Sequence, residues 1–284
     1  MPFPVHPQAR PTDRKASRSG DPNWTAVSAS PTPPSWSHRV TWERADLLRP
    51  STYASLIHGA DYVVHSMGIL LEADYKRVIS GQESPLGFLK RMVTSETTAP
   101  SQQQQDIAGS ARRAPLSPST NPTADLVAPG EPPLTYEIMN RDSALALARL
   151  AACEGVGAMA YISAAAGAPV LPPRYMSTKR EAEGMIARDF PKVRSVFLRP
   201  PLLYDQSRPV TLVMAGMVGV GAAFNAVTGG ILKGFLGSAG MSAVKADTVA
   251  RATVEALGDE MIRGPVEGAL LEELGQRAWR REML

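Results

Sequence analysis

Cysteine is nearly absent: Cys153 is the only one in 284 residues. A lone thiol excludes an internal disulfide and fits a reducing compartment. Histidine is scarce as well. His6, His38, His58 and His65 share no metal-ligand spacing with one another or with Cys153, so no metal centre is expected. The net charge is only +3, and no basic run is interleaved with aromatics, so a nucleic-acid partner is not expected either. The N-terminus lacks the apolar core of a signal peptide. Its first twenty residues are basic and almost free of acids, like a transit peptide, but Pro2, Pro4 and Pro7 spoil an amphipathic helix. Glycine is missing altogether from Met1 to Ala16.

What is present is globular in composition, at 44% hydrophobic and 20% charged, with 25 prolines pointing to extended segments. Residues 1–37 are rich in Pro, Ser and Arg and read as loop. Val40 to Asp46 is a short strand entering an acidic turn, and Pro50 to His58 a helix with Ser51 as its N-cap. Tyr62 to His65 is a β-branched run after the Gly59-Ala60-Asp61 break, completing a βαβ unit with parallel strands. Residues 94–133 are rich in Thr, Ser, Gln and Pro and are expected to be a disordered surface insertion. Ala144, Leu147, Ala148 and Ala151 then mark an amphipathic helix over 140–153. A strand from Ala158 to Ile162, a helix from about Tyr175 to Arg188 and a strand from Ser195 to Leu198 follow. Further on, Asp247 is expected to cap a helix to Leu257, and Leu270 to Leu284 to form a docking helix.

Chemistry concentrates around one pentapeptide. Tyr175 and Lys179 stand at i, i+4 near a helix start, so both project from one face, and Ser163 ends the preceding strand. Ligands of an open α/β sheet bind at the carboxyl ends of its strands, where Ser163 would lie. A phenol has a free pKa of about 10, and a neighbouring lysine cation would favour its phenolate. That makes Tyr175 a usable acid or base, with the Ser163 hydroxyl to hold a substrate oxygen. An isolated Tyr-x-x-x-Lys is weak. Its context, between a strand ending in Ser and one ending in Leu198-Arg199-Pro200, is specific.

Tyr161-Ile162-Ser163-Ala164-Ala165-Ala166-Gly167, Tyr175 to Lys179 with Arg180-Glu181-Ala182-Glu183, and Leu198 through Asp205 resemble the atypical short-chain dehydrogenase/reductases. The likeness is greatest to fungal mitochondrial NAD-dependent epimerase/dehydratase-like proteins associated with ubiquinone biosynthesis; the dehydrogenase-like accessory subunit of complex I resembles it more distantly. The resemblance implies a Rossmann-like α/β fold, a doubly wound parallel sheet, over 17–258. An unstructured 1–16 would precede it, and a helical tail, 259–284, would follow. It implies Ser163, Tyr175 and Lys179 as catalytic residues. It implies cofactor contacts at Arg18, at Asp46 and Leu47, at His65, Ser66, Met67 and Gly68, at Tyr175 and Lys179, and at Arg199 and Pro200. Asn140 stands where the family helix carries an asparagine. A basic Arg18 at the end of the second strand favours a 2′-phosphate, hence NADP over NAD.

The family's first strand and its Gly-x-x-Gly-x-x-Gly turn have no counterpart here, so NAD(P) binding by this chain is expected to be poor. An unusual start site or a degenerate member would each explain the gap. Gly155 to Ala160 imitates the motif but precedes its strand, and reads as a helix-ending turn. Gly216 to Gly221 follows an apolar run, yet it lies in the family's variable substrate region. Val210 to Leu232 carries no charge, which suits a buried lid over an apolar, quinone-type ligand or a surface resting on a membrane. Two functions follow from the resemblance. One is an NAD(P)-binding oxidoreductase-like protein at the matrix side of the mitochondrial inner membrane, acting in or assisting ubiquinone biosynthesis and partnered by that complex. The other is a non-catalytic accessory or assembly subunit of a mitochondrial complex.

Overall fold

The structure is a computed structural model; it describes residues 13–17, 32–69, 113–127, 135–165, 173–201, 203–204 and 243–284. Arg18, residues 70–112 and 128–134, and the apolar stretch 210–232 with its glycines lie outside the described residues.

The described strands run parallel throughout. β1 (Asp13–Ser17) pairs with β2 (Val40–Arg44), Asp13 opposite Val40. A second sheet has the order β3 (Tyr62–His65), β4 (Ala158–Ile162), β5 (Arg194–Arg199), β8 (Gly264–Glu267). Its register is Tyr62 to Ala158, Ala158 to Arg194 and Val196 to Gly264. Two-residue strands β6 (Leu203–Tyr204) and β7 (Val244–Lys245) form a small parallel pair. Helices α1 (Ala54–Ile57), α2 (Ser143–Cys153), α3 (Pro173–Asp189), α4 (Ala246–Gly258) and α5 (Gly268–Glu282) connect and cover them. This is a Rossmann-like α/β architecture.

Alternation along the strands sorts the core into two layers. Val63, Met159, Tyr161 and Phe197 face α1, α2 and α3, packing with Leu145, Ala182 and Ile186. Ala158, Ala160, Val196 and Leu198 face the other way, under Val249, Ala252, Leu271 and Leu274 of α4 and α5. A strand buried on both faces reads as a continuous apolar run, which is why Ala158–Ile162 and Ser195–Leu198 were legible as strands without alternation.

β3 breaks that rule. Val63 and His65 are buried, but Tyr62 and Val64 are 49% and 48% exposed on the face that α4 and α5 cover over β4 and β5. Among the described residues no helix covers that face of β3.

Several boundaries differ from expectation. The N-terminal stretch 1–16 is not wholly unstructured, since β1 begins at Asp13. Pro50–His58 is a 3-10 turn, Pro50–Thr52, followed by the single turn α1, and Ser51 makes no capping bond. Lys245, not Asp247, is the N-cap of α4. The segment 259–284 is no appended tail: β8 extends the sheet, and Leu271 and Leu274 of α5 are fully buried. Gly155 does end α2, at φ +71°, where a residue with a Cβ would be strained.

The expected insertion is also corrected in part. Residues 113–127 dock on the domain, with Leu126 only 2% exposed. Composition counted the polar majority and overlooked the spacing of a few anchors, Leu116, Leu126 and Val127, which join one apolar cluster with Leu48 and Ile138. The remainder of the 94–133 stretch lies outside the described residues.

Leu198, with no exposed surface in the strand between β4 and β8, tests the two-layer core. Leu198→Ala is expected to lower the unfolding free energy by about 3 kcal/mol, the usual size for a cavity at a buried leucine, as read from urea titration.

Candidate functional site

α3 carries the site because its Tyr175, Lys179 and Glu183 recur every four residues and so share one face. That face lies across the carboxyl ends of β4 and β5. Lys179 is 4% exposed, and its Nζ donates to the Ile162 carbonyl at 2.8 Å, over the Tyr161 ring at 4.8 Å. One turn on, Glu183 is 4% exposed and accepts from three side chains. Ser163 Oγ donates to its Oε1 at 2.5 Å, Arg180 Nη1 donates to the same oxygen at 2.6 Å, and Arg199 Nη2 donates to Oε2 at 2.5 Å. Arg180 also donates to Ser163 Oγ at 3.0 Å and to the Ala164 carbonyl at 2.7 Å. The buried carboxylate is thus matched by two guanidinium groups and a hydroxyl, which is what allows it to be buried at all.

The loop after β3 reaches the same place. Asn140 Nδ2 donates to the Ile69 carbonyl at 3.1 Å, and the Ile69 N–H donates to Asn140 Oδ1 at 2.8 Å. Gly68 is held so close that a Cβ there would stand 2.8 Å from Asn140 Oδ1 and 3.0 Å from Lys179 Nζ. A larger residue there would push the Asn140 amide or the Lys179 amine aside. Asn140 itself sits in a π-helical stretch, Glu137–Asp142, ahead of α2, and its carbonyl accepts from Tyr161 Oη at 2.5 Å. Such π stretches recur at functional sites.

His65, Gly68, Tyr175, Lys179 and Ser163 are therefore gathered at the strand ends. Ser66, Met67 and Gly68 are exposed there, and Pro200 is buried, its carbonyl accepting from the Ala165 N–H at 2.8 Å. Asp46 and Leu47 lie in the turn after β2. Asp46 Oδ1 accepts from the Leu48 N–H at 3.1 Å, so the carboxylate closes its own turn.

Two expectations about chemistry change. Burial pushes the Tyr175 phenol above its ordinary value, with Arg180 pulling weakly the other way. The Lys179 amine, 6.0 Å from the centre of the Tyr175 ring, does not bring it down. Ser163 gives its only proton to Glu183 and takes one from Arg180, so it has no donor left for a substrate oxygen. Arg199 is engaged with Glu183 and, at 3.4 Å, with Glu267, which makes it a brace for the strand ends. The residues that sequence reasoning did not assign are Glu183 and Arg180. Their signal was the helical spacing from Lys179, and the serine partner was not readable from it.

Burial pulls His65 down to about 3, helped by the positive charge of Lys179, while its Nε2 pairs with Ser143 Oγ at 3.0 Å. Among the described residues no group of three side chains could hold a metal ion, and no helix is long and apolar enough to cross a membrane.

A parallel sheet carrying Tyr-x-x-x-Lys on the helix after its serine-ending strand settles the architecture. The fold is a Rossmann-like parallel α/β sheet with the Tyr175–Lys179 pair on the helix that follows β4. No family model matches the chain. It is 31% identical over 186 residues to MIOREX complex component 2 of Saccharomyces cerevisiae, a match covering 61% of this chain and 58% of that protein. Among solved structures it is similar to MoeE5 in complex with UDP-glucose and NAD, at TM-score 0.41 and 13% identity, covering 89% of this chain and 72% of that one. It is also similar to DesIV, the dTDP-glucose 4,6-dehydratase of Streptomyces venezuelae with NAD and TYD bound. There the TM-score is 0.40 at 15% identity, with 92% of this chain and 67% of that one covered. The chain spans little more than half the length of the yeast relative.

Two outcomes test the site. Glu183→Ala leaves two guanidinium groups around an empty place and is expected to lower stability by about 3 kcal/mol, the scale for breaking a buried ion pair, in urea titration. His65 gives a pH dependence of defined sign. Unfolded, it takes a proton near its ordinary value of about 6.5; folded, it resists until about 3. The unfolded chain therefore binds the extra proton between those values, and stability falls as pH drops through the window, by up to about 1.4 kcal/mol per pH unit. His65→Gln is expected to remove that slope between pH 6 and pH 4, with no change of slope above pH 7.

Proposed function

We propose that this chain is an accessory protein of mitochondria that keeps a dehydrogenase-type fold and works as a component of a larger complex. The observation that carries this reading is the engagement of Ser163: its proton goes to Glu183 and it accepts from Arg180, so the hydroxyl that would hold a substrate oxygen is part of the frame. The raised proton affinity of Tyr175 points the same way. Similarity to a protein named as a MIOREX complex component supports assembly into a complex. The mitochondrial setting follows from this similarity and from the resemblance to fungal mitochondrial proteins.

A second reading, an NAD(P)-dependent oxidoreductase, is favoured by the close approach of Gly68 to Asn140 and Lys179. In it, Tyr175 is the acid or base, Lys179 the ribose and proton-affinity partner, and Ser163 the substrate anchor once a ligand displaces Glu183. Asp46, Leu47, the 65–68 loop, Arg199 and Pro200 would border the cofactor. Ubiquinone chemistry belongs to this reading and rests on the resemblance alone.

Pyrophosphate affinity in such folds comes from backbone amides at a glycine-rich helix start. Among the described residues, none between the Asp46 turn and Lys179 supplies such a cradle. Titration of NADPH and NADH into this chain, followed by nicotinamide fluorescence, is expected to show no micromolar binding. The same chain extended ahead of Asp13 by a strand and a Gly-x-x-Gly-x-x-Gly turn should recover it. In that extended chain, Tyr175→Phe should abolish any reductase turnover while leaving cofactor affinity nearly unchanged. Turnover by the chain as it stands would overturn the accessory reading.

A further inference from the structure

The docked segment 113–127 touches both loops that border the candidate nucleotide site. Leu126 donates its N–H to the Leu48 carbonyl at 2.8 Å, directly after the Asp46–Leu47 turn. Its side chain packs with Leu48, Ile138 and Met139, and Ile69, at the end of the loop that bears Gly68, lies against the same cluster. Ile138 and Met139 precede Asn140, whose amide grips Ile69 from the other side.

The segment is fastened independently at two points. Arg113 pairs with buried Asp142 at 3.0 Å and donates to the Leu126 carbonyl at 2.5 Å. Arg149, 5% exposed, donates to the carbonyls of Ser117 and Pro118. A buried arginine committed to backbone carbonyls, as Arg149 is, does not arise by chance surface packing, because it must replace lost hydration with fitted acceptors.

We propose that Leu126 is a positioning residue that holds the Asp46 turn and the 66–69 loop in one fixed relation, so that an adenine nucleotide meets both at once. This rests on the nucleotide-site reading of those loops. Surface loops keep a binding geometry only when a packed shell behind them removes their freedom. Here that shell comes from a segment whose composition marks it as an insertion. Leu126 would touch no ligand. It acts through Leu48 on one side and Ile69 on the other.

The test compares full-length Leu126→Ala and Leu126→Met with Leu274→Ala, a fully buried substitution in the opposite core layer. Amide hydrogen exchange is followed at Leu48 and Ile69, whose N–H groups bond Asp46 and Asn140. 5′-AMP is titrated by ligand-observed NMR. At least about tenfold faster exchange at both amides is expected in Leu126→Ala, as for local opening, with AMP affinity falling by a similar factor. Leu126→Met should restore both, and Leu274→Ala should move neither even where it lowers Tm as much. Unchanged exchange in Leu126→Ala, or equal change in Leu274→Ala, overturns the proposal. Failure of the unaltered chain to bind AMP overturns the nucleotide reading instead, while the exchange result still decides whether Leu126 couples the loops.

Discussion

The carboxylate of Glu183 is the tie on which the sheet's working end depends. It sits nearly without solvent on α3 and joins Ser163 at the end of β4 to Arg199 at the end of β5, while Arg199 reaches on to Glu267 at the end of β8. Three strand ends and one helix are fixed by one buried charge. Hydrophobic packing alone would let the strand ends splay, because apolar contact is non-directional. A carboxylate held by two guanidinium groups admits few geometries. The same tie sets the chemistry: it removes the serine from the list of free donors and places Lys179, one turn earlier, under the β4 terminus.

The interior of the fold was legible because parallel strands announce themselves as unbroken apolar runs. Tyr62–His65 and Ala158–Ile162 have the boundaries the sequence suggested. β8 was not legible. Gly264-Pro265-Val266-Glu267 has one strongly apolar residue and a proline, and it becomes a strand only because β5 offers it an open edge. Proline is tolerated there because an edge strand can spare one ladder bond. The docked 113–127 segment was hidden for a related reason: its stability comes from Arg113, Arg149 and Leu126 meeting distant partners, which local composition does not encode.

Of the site, the sequence carried the residue types and their helical spacing but not the pairing. Tyr175 and Lys179 could be placed on one face by counting, while the closeness of Gly68 to Lys179 is a matter of distance that counting does not give. Counting could not say which group takes the Ser163 proton, since Glu183 and the substrate place compete for the same hydroxyl. The exposure of Tyr62 and Val64 on one face of β3 needed the structure, because both belong to a run that reads as apolar throughout.

The site depends on α3 closing over the strand ends, with Lys179 buried against Ile162 and Tyr161. Burial then pulls the amine down to about 8, Glu183 opposing the shift. The direct measurement is the titration of the Lys179 side chain by 13C NMR after selective labelling, with Lys179→Arg to assign the signal. A midpoint near 8 is the result expected of an assembled site. A midpoint at the ordinary lysine value of about 10.4 would mean that the helix does not close over the strands, and would contradict the account.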